Sequence, residues 1–248
     1  DVLPQLTSLD SAQVYSVKYL KGSTAFDSLY VNRYDTLALP TTGQIVGSSY
    51  NKLITYNTTF INSDSTTVNP STPVTADMQI TCAATANGLK MNGTGTTEEP
   101  YLISTAEELA AFRDYVNLGY TAICAKLMND IDLSTVCGES IGSWEPIASG
   151  YKLEYRGTFN GNRHAIKSLY FKKDNYGTEG PLGLFGNLYK PGIVENLHVN
   201  GAITVNITSE AVHVGGIVGE NSGIVSYCSF SGKISDFGKT GQQYGGIA

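Results

Sequence analysis

The sequence predicts a mainly β chain in two parts. Residues 1–88 read as a small all-β unit, and residues 89–248 read as a stacked solenoid that begins with one helix. Three observations predict this. Apolar and polar residues alternate in short runs before Gly88, a single strongly capped helical segment follows, and the remainder resembles itself at intervals of 30 to 33 residues. The composition agrees. Ser, Thr and Asn fill 64 of 248 positions, Gly fills another 27, and only 15% of residues are charged. A helical bundle needs far more Ala, Leu, Glu and Lys, whereas 41% hydrophobic and 10% aromatic residues are enough to bury a core.

The first unit carries period-two runs such as Val14-Tyr15-Ser16-Val17-Lys18-Tyr19 and Gln79-Ile80-Thr81-Cys82, with a Thr/Ser/Asn-rich loop from Asn62 to Pro73. β-branched and aromatic residues at alternate positions point to half-buried strands, with Cys82 at the end of the last one. Residues 87–97, rich in Gly and small polar groups, read as a linker. The helix follows over residues 105–118. Ser104 with Glu107 and Thr105 with Glu108 offer two overlapping capping boxes. Leu109, Phe112 and Val116 share one face, and Gly119 supplies the stop.

Beyond the helix, Ile193-Val194-Glu195-Asn196-Leu197-His198-Val199 lines up with Ile224-Val225-Ser226-Tyr227-Cys228-Ser229-Phe230 at an offset of 31. Gly183-Leu184-Phe185-Gly186 precedes Gly216-Ile217-Val218-Gly219 by 33, and Ala165–Phe171 reads as an earlier, divergent copy. Such repeats cannot bury their apolar side alone and therefore stack. Val194/Val225, Leu197/Cys228 and Val199/Phe230 are the expected interior ladders, with the helix covering the first coil. Gly246-Ile247-Ala248 begins a further copy. The expectation is that the chain continues past Ala248 and that the rest of it is the partner of this end.

Gly216-Ile217-Val218-Gly219-Glu220-Asn221-Ser222-Gly223-Ile224-Val225, with Cys228 and Gly232, resembles the GLUG motif of bacterial surface proteins. Gly95 to Ser104, Asn129-Asp130-Ile131-Asp132-Leu133 and Gly157 to Ile166 resemble the segments that precede it. The resemblance covers about residues 93–248 and implies a right-handed parallel β-helix on an exported or cell-surface protein of the adhesin type. Tyr15–Tyr19, Tyr34-Asp35-Thr36-Leu37 and Thr72-Pro73-Val74 leading into Ile80-Thr81-Cys82 are similar to the Listeria–Bacteroides repeat of internalin-type proteins, without its usual Gly-Trp pair. That likeness implies a β-grasp-like spacer.

Candidate chemistry is sparse. Asp130 and Asp132, read as sharing the outer face of one strand, are about 7 Å apart by strand rise. They fall well short of the six to eight oxygens of a calcium site, so a solvated face is expected, with Ile131 and Leu133 inward. His164, His198 and His213 fit neither a zinc spacing nor a nucleophile motif. Gly183, Gly186, Gly216 and Gly219 lack the Lys-Ser/Thr and helix of a phosphate loop and read as close-approach positions. Asn221 is expected to bond the next coil. Cys228 takes an interior position and Cys82 is expected to be free. Strand parity turns Cys124 outward, which leaves a bridge to Cys137 open. The sequons at Asn57, Asn92 and Asn206 read as coincidence in a Thr-rich chain.

The resulting expectation is a non-catalytic adhesion, binding or structural module of an exported protein, extracellular or at the bacterial surface. No catalytic, cofactor or metal residue is assigned, and the ligand is a glycan or a host or extracellular protein. A net charge of −6 without a basic run argues against nucleic acid. No stretch nears the ~20 apolar residues of a spanning helix. Asp1 opens the chain without a signal-peptide pattern, as a trimmed exported product would. Two alternatives stand beside this reading: a β-helix polysaccharide lyase or hydrolase, and a non-catalytic module of a larger surface protease.

Overall fold

The computed structural model describes residues 13–71, 73–150, 152–176, 180–207, 213–236 and 243–248. The chain divides into two compact units, Asp1–Asn87 and Gly88–Ala248.

In the first unit β1 (Val14–Lys21) and β2 (Thr24–Asn32) form an antiparallel hairpin closed at Gly22, whose φ of 60° suits a residue without a Cβ. A short helix α1 (Thr42–Val46) and β3 (Ile54–Asn62) lead to β4 (Met78–Leu89). The sheet order is β2-β1-β4-β3, with β1 and β4 parallel at the centre, the β-grasp order. The alternation puts Val17 and Tyr19 of β1 and Ile80 and Cys82 of β4 into one core with Val31, Leu37, Ile45 and Val74. The all-β expectation missed α1. A capping box from Thr41 to Gln44 sets it, yet five residues are too few to show a helical period. Cys82 is buried in mid-strand rather than at a strand end, because β4 runs on to Leu89.

The residues read as a linker are structured. β4 covers the first three, and Thr94 and Gly95 both donate backbone N–H groups to the Glu99 carbonyl at 2.9 Å. Gly93 has φ 98°, and a Cβ there would lie 2.1 Å from the Pro100 oxygen, so that turn requires glycine. Small residues here serve a tight fold-back, which composition alone does not distinguish from a tether.

The second unit is a parallel β-solenoid. Its strands are β5 (Tyr101–Ile103), β6 (Ala125–Leu127), β7 (Ile131–Asp132), β8 (Thr158–Asn160), β9 (Ala165–Tyr176), β10 (Phe185–Glu195), β11 (His198–Ile207), β12 (His213–Gly215), β13 (Val218–Ser226), β14 (Ser229–Asp236) and β15 (Gln243–Gly245). One face is the parallel sheet β13-β10-β8-β6-β5 and a second is β14-β11-β9-β7. A third, short face pairs β12 with β15, and Leu182 bridges to Val214.

The expected ladders are present. Val194 registers with Val225 and Val199 with Phe230, and the second ladder continues through Ile166 to Ile131. Leu197 and Cys228 occupy the same corner position, Leu197 buried and Cys228 half-buried. The divergent copy, however, is registered differently. Ala165 pairs with His198, and the partner of Ile193 is Thr158. The corner between β8 and β9 holds four residues, where that between β10 and β11 holds two, so the offset drops from 35 to 33 across it. An alternating apolar pattern cannot reveal that insertion.

The helix α2 (Ala106–Asn117) lies between β5 and β6. Thr105 and Glu108 form its capping box, and Glu108 also accepts from the Ser104 N–H at 2.7 Å. Glu107 is not part of a box and instead accepts from the Thr135 hydroxyl. Leu109, Phe112 and Val116 are fully buried. Phe112 packs edge-on to Tyr155 and against Phe159, and both of these meet Phe185 at 5.2 Å, so the helix plugs the interior of the first coils.

Candidate binding corner of the solenoid

The acidic pair does not share a strand face. A corner separates β6 from β7, so side-chain parity does not carry across it. Asp130 sits in that corner and accepts from Lys167 Nζ at 2.8 Å and the Ala165 N–H at 3.0 Å, with His164 Nδ1 at 3.4 Å. The Lys167 hydrogen bond, helped by the Ala165 N–H, lowers its carboxyl to about 2. Asp132 caps a short 3-10 turn by accepting from the Ser134 N–H at 3.0 Å, and that bond leads the lowering of its pKa. Ile131 and Leu133 point inward as expected. Asp130 joins one coil to the next and Asp132 caps its own turn, and no group of three metal-ligating residues exists among the described residues.

Cys124 lies outside β6, so strand parity does not reach it. It precedes β6 and is buried, with Sγ accepting from the Thr158 N–H at 3.3 Å. Cys137 is buried elsewhere, its thiol donating to the Ser168 carbonyl, and all four cysteines are free. Burial raises the pKa of Cys82, Cys137 and Cys228. The glycines are close-approach positions. A Cβ would lie 2.8 Å from a backbone oxygen at Gly183, 2.5 Å at Gly186, 2.4 Å at Gly216, and 2.6 Å from a backbone nitrogen at Gly219. Asn221 accepts from Gly223 N–H in its own turn. His213 lies 3.7 Å from Glu220. Asn57 accepts from Asn87, Asn92 accepts through its backbone from Leu102, and Asn206 lies in β11.

One place gathers exposed polar and aromatic groups. The corners between the first and second faces stack, and Arg163, Asn196 and Tyr227 each hold a left-handed backbone there, with φ of 66°, 53° and 51°. Backbone bonds from Arg163 N–H to the Asn196 oxygen and from Asn196 N–H to the Ser226 oxygen link the corners. The residues Arg163, Asn196, Leu197, His198, Tyr227 and Ser229 line an open cavity of about 390 Å³. His198 is held at both ring nitrogens, Nδ1 to Ser229 Oγ at 2.8 Å and Nε2 to Ser231 Oγ at 3.0 Å. Tyr227 is 88% exposed. The sequence reading did not single out Arg163 or Tyr227. The available signal was a bulky Tyr aligned with Asn196, a residue far better suited to the left-handed corner.

Known proteins place this architecture in context. Residues 210–235 match the GLUG motif family. A protein of Evansella cellulosilytica described as a Gly-rich membrane protein is 33% identical over 138 residues, covering 55% of this chain and 15% of its own length. A halomucin of Haloquadratum walsbyi is 28% identical over 159 residues, 62% of this chain and 2% of its own. The chain thus spans a small part of both relatives. A solved structure described as an immunoglobulin A1 protease from Bacteroides ovatus shares 18% identity over 62% of each chain at a TM-score of 0.35. The chain therefore carries a GLUG motif within a parallel β-solenoid.

Proposed function

We propose that this chain is a non-catalytic module of an exported, surface-located protein, in which the solenoid displays a rigid surface that binds a glycan or an extracellular protein. The observation that carries this reading is the solenoid itself, a GLUG-bearing stack whose apolar rows fill its interior and whose corners present polar and aromatic side chains outward. Its two much longer relatives, one described as a membrane protein, support a segment of a large surface protein. The β-grasp strand order of the first unit supports reading residues 1–88 as a spacer of the Listeria–Bacteroides type, with residues 89–248 as the binding part. Among the described residues no helix is long and apolar enough to cross a membrane.

The enzyme alternative rested on acidic residues acting together. Glycoside hydrolysis takes two carboxyl groups at a set separation on either side of one bond, and Asp130 and Asp132 are instead engaged by Lys167 and Ser134. Screening the full chain against immobilised glycans and matrix proteins tests the proposal, with saturable binding and no turnover expected. Polysaccharide cleavage that disappears in Asp130→Ala or Asp132→Ala would overturn it, as would the absence of any saturable ligand.

A further inference from the structure

We infer that the corner cavity is a site for a carboxylate-bearing saccharide, a uronate or a sialic-acid-type sugar. The inference rests on the binding role proposed above and names its ligand class. Tyr227 supplies the first argument. Bulky side chains rarely adopt a left-handed backbone, because Cβ crowds the neighbouring carbonyl. The equivalent corner one coil earlier uses Asn196, which tolerates that conformation. The fold therefore carries a strained residue that is 88% exposed in the last described coil. Strain kept at an exposed aromatic is a mark of function rather than of stability. A tyrosine ring beside a polar cavity is suited to stacking on the apolar face of a pyranose, with its hydroxyl free to bond.

Arg163 supplies the second argument. Its side chain is exposed on the same cavity, and no described residue pairs with its guanidinium. The chain bears a net charge of −6, yet the carboxylates flanking this corner are engaged. Glu195 accepts from Asn160 at 2.7 Å, and Asp130 is held by Lys167 and His164. A guanidinium left open amid satisfied carboxylates is a fork for a ligand carboxylate, which it can grip with two parallel hydrogen bonds. The Ser229 hydroxyl, held on His198 Nδ1 at the cavity wall, adds a polar group of the kind sugar hydroxyls require.

The cavity also favours a sugar over an acidic peptide. Extended peptides are commonly held by adding to a strand edge; β11 at this cavity is paired on both sides, by β9 and β14, whereas β14 ends its sheet among the described residues, so an acidic peptide enters the test as a competitor. A volume of about 390 Å³ lies at the small end of ligand sites and suits a pyranose with its substituents.

The test uses the full chain with oligogalacturonate and sialyllactose, beside carboxyl-reduced oligogalacturonate and lactose as neutral counterparts, in calorimetry. At least one carboxylated sugar should bind, and its neutral counterpart should bind about tenfold or more weakly. Arg163→Gln should remove that preference, and added salt should weaken the wild type more than the variant. Tyr227→Asn should also lose about tenfold in affinity while melting no lower than wild type, because Asn fits the corner. Tyr227→Trp should retain binding. Equal binding of the neutral sugars, binding unmoved by Arg163→Gln, no binding to either carboxylated sugar, or competition by an acidic peptide alone would each overturn the inference. In those cases a ligand found on the wider array, bound away from this corner, would leave the module's binding role standing, and an empty array would remove both.

Discussion

Asn187 offers the sharpest test of how one coil supports the excursion beside it. It is the one buried polar residue among the described residues, 7% exposed, and its side-chain amide donates to the Gly150 carbonyl at 2.5 Å and the Leu153 carbonyl at 3.0 Å. A weaker contact reaches Ala148 at 3.5 Å. Asn187→Leu keeps the shape and removes the donors. Two good bonds at a net ~0.5–1.5 kcal/mol each, plus part of the cost of two carbonyls left short of partners, give about 2–4 kcal/mol. Both carbonyls belong to half-buried residues, so water offsets some of that cost. For a unit of this size the loss corresponds to a Tm lower by roughly 5–15 °C. Trp144, the only tryptophan, is buried in the same unit with its indole N–H on the Leu184 carbonyl at 3.2 Å. Its fluorescence during urea unfolding therefore reports on this unit. Asn187→Asp should be worse near neutral pH, because a carboxylate would face two carbonyl oxygens. Its folded pKa would be raised, so its neutral, donating form is the one the fold prefers. The deficit should shrink as pH falls towards the unfolded value of ~3.9 and grow as pH rises through it. Asn187→Leu within ~0.5 kcal/mol of wild type, or Asn187→Asp equal to Asn187→Leu at neutral pH, would refute the reasoning.

Other outcomes follow from the same geometry. Asp130 has a depressed pKa, so its contribution is present above the unfolded carboxyl value near ~3.9 and is lost as pH falls towards about 2. Melting curves should show wild type above Asp130→Asn at pH 6–8, with the two converging as pH falls towards about 2. Mass spectrometry should find four reduced thiols, reacting slowly with a disulfide reagent when native and quickly in urea; a mass two units low would revive the Cys124–Cys137 bridge. Gly219→Ala would place a methyl 2.6 Å from the Leu182 nitrogen, so it should destabilise the second unit by about 1–3 kcal/mol in the same urea titration.

The sequence made some features legible because they repeat or because they are local. The capping box at Thr105 and Glu108 is local, and the Val194/Val225 and Val199/Phe230 ladders repeat. Both could be read directly. Register across the β8–β9 corner could not, since two extra corner residues leave the alternating pattern intact while moving Ala165 onto His198. Parity failed at Cys124 because that residue lies before β6 begins at Ala125, where strand alternation does not hold. Asn187 was hidden because its partners are backbone carbonyls up to 39 positions away, and its counterpart one coil on is the exposed Glu220. The excursion from Leu133 to Gly157 was also passed over. Its anchors are Trp144 beneath the Arg113 guanidinium and Tyr155 bonded to the Ile123 carbonyl, long-range pairings that no local period announces.

The stack also explains why function should gather at corners. Along the faces, each residue has a neighbour one coil above and below, so a change at Val199 disturbs Ile166 and Phe230 together. Inward positions are thus coupled, and outward positions on a flat parallel sheet present their side chains in rows. At the corners the chain turns between faces, and the left-handed residue there points away from both sheets. Its side chain is free of ladder constraints, while its backbone is fixed by bonds such as Asn196 N–H to the Ser226 oxygen. Such a position combines a rigid base with an unconstrained side chain, the arrangement a preorganised binding group needs. Asn196 fills it at little conformational cost. Tyr227 fills it at a cost that neither packing nor hydrogen bonding within the described coils offsets, and that imbalance is why the corner, rather than the acidic pair or the histidines, is where a ligand should be sought.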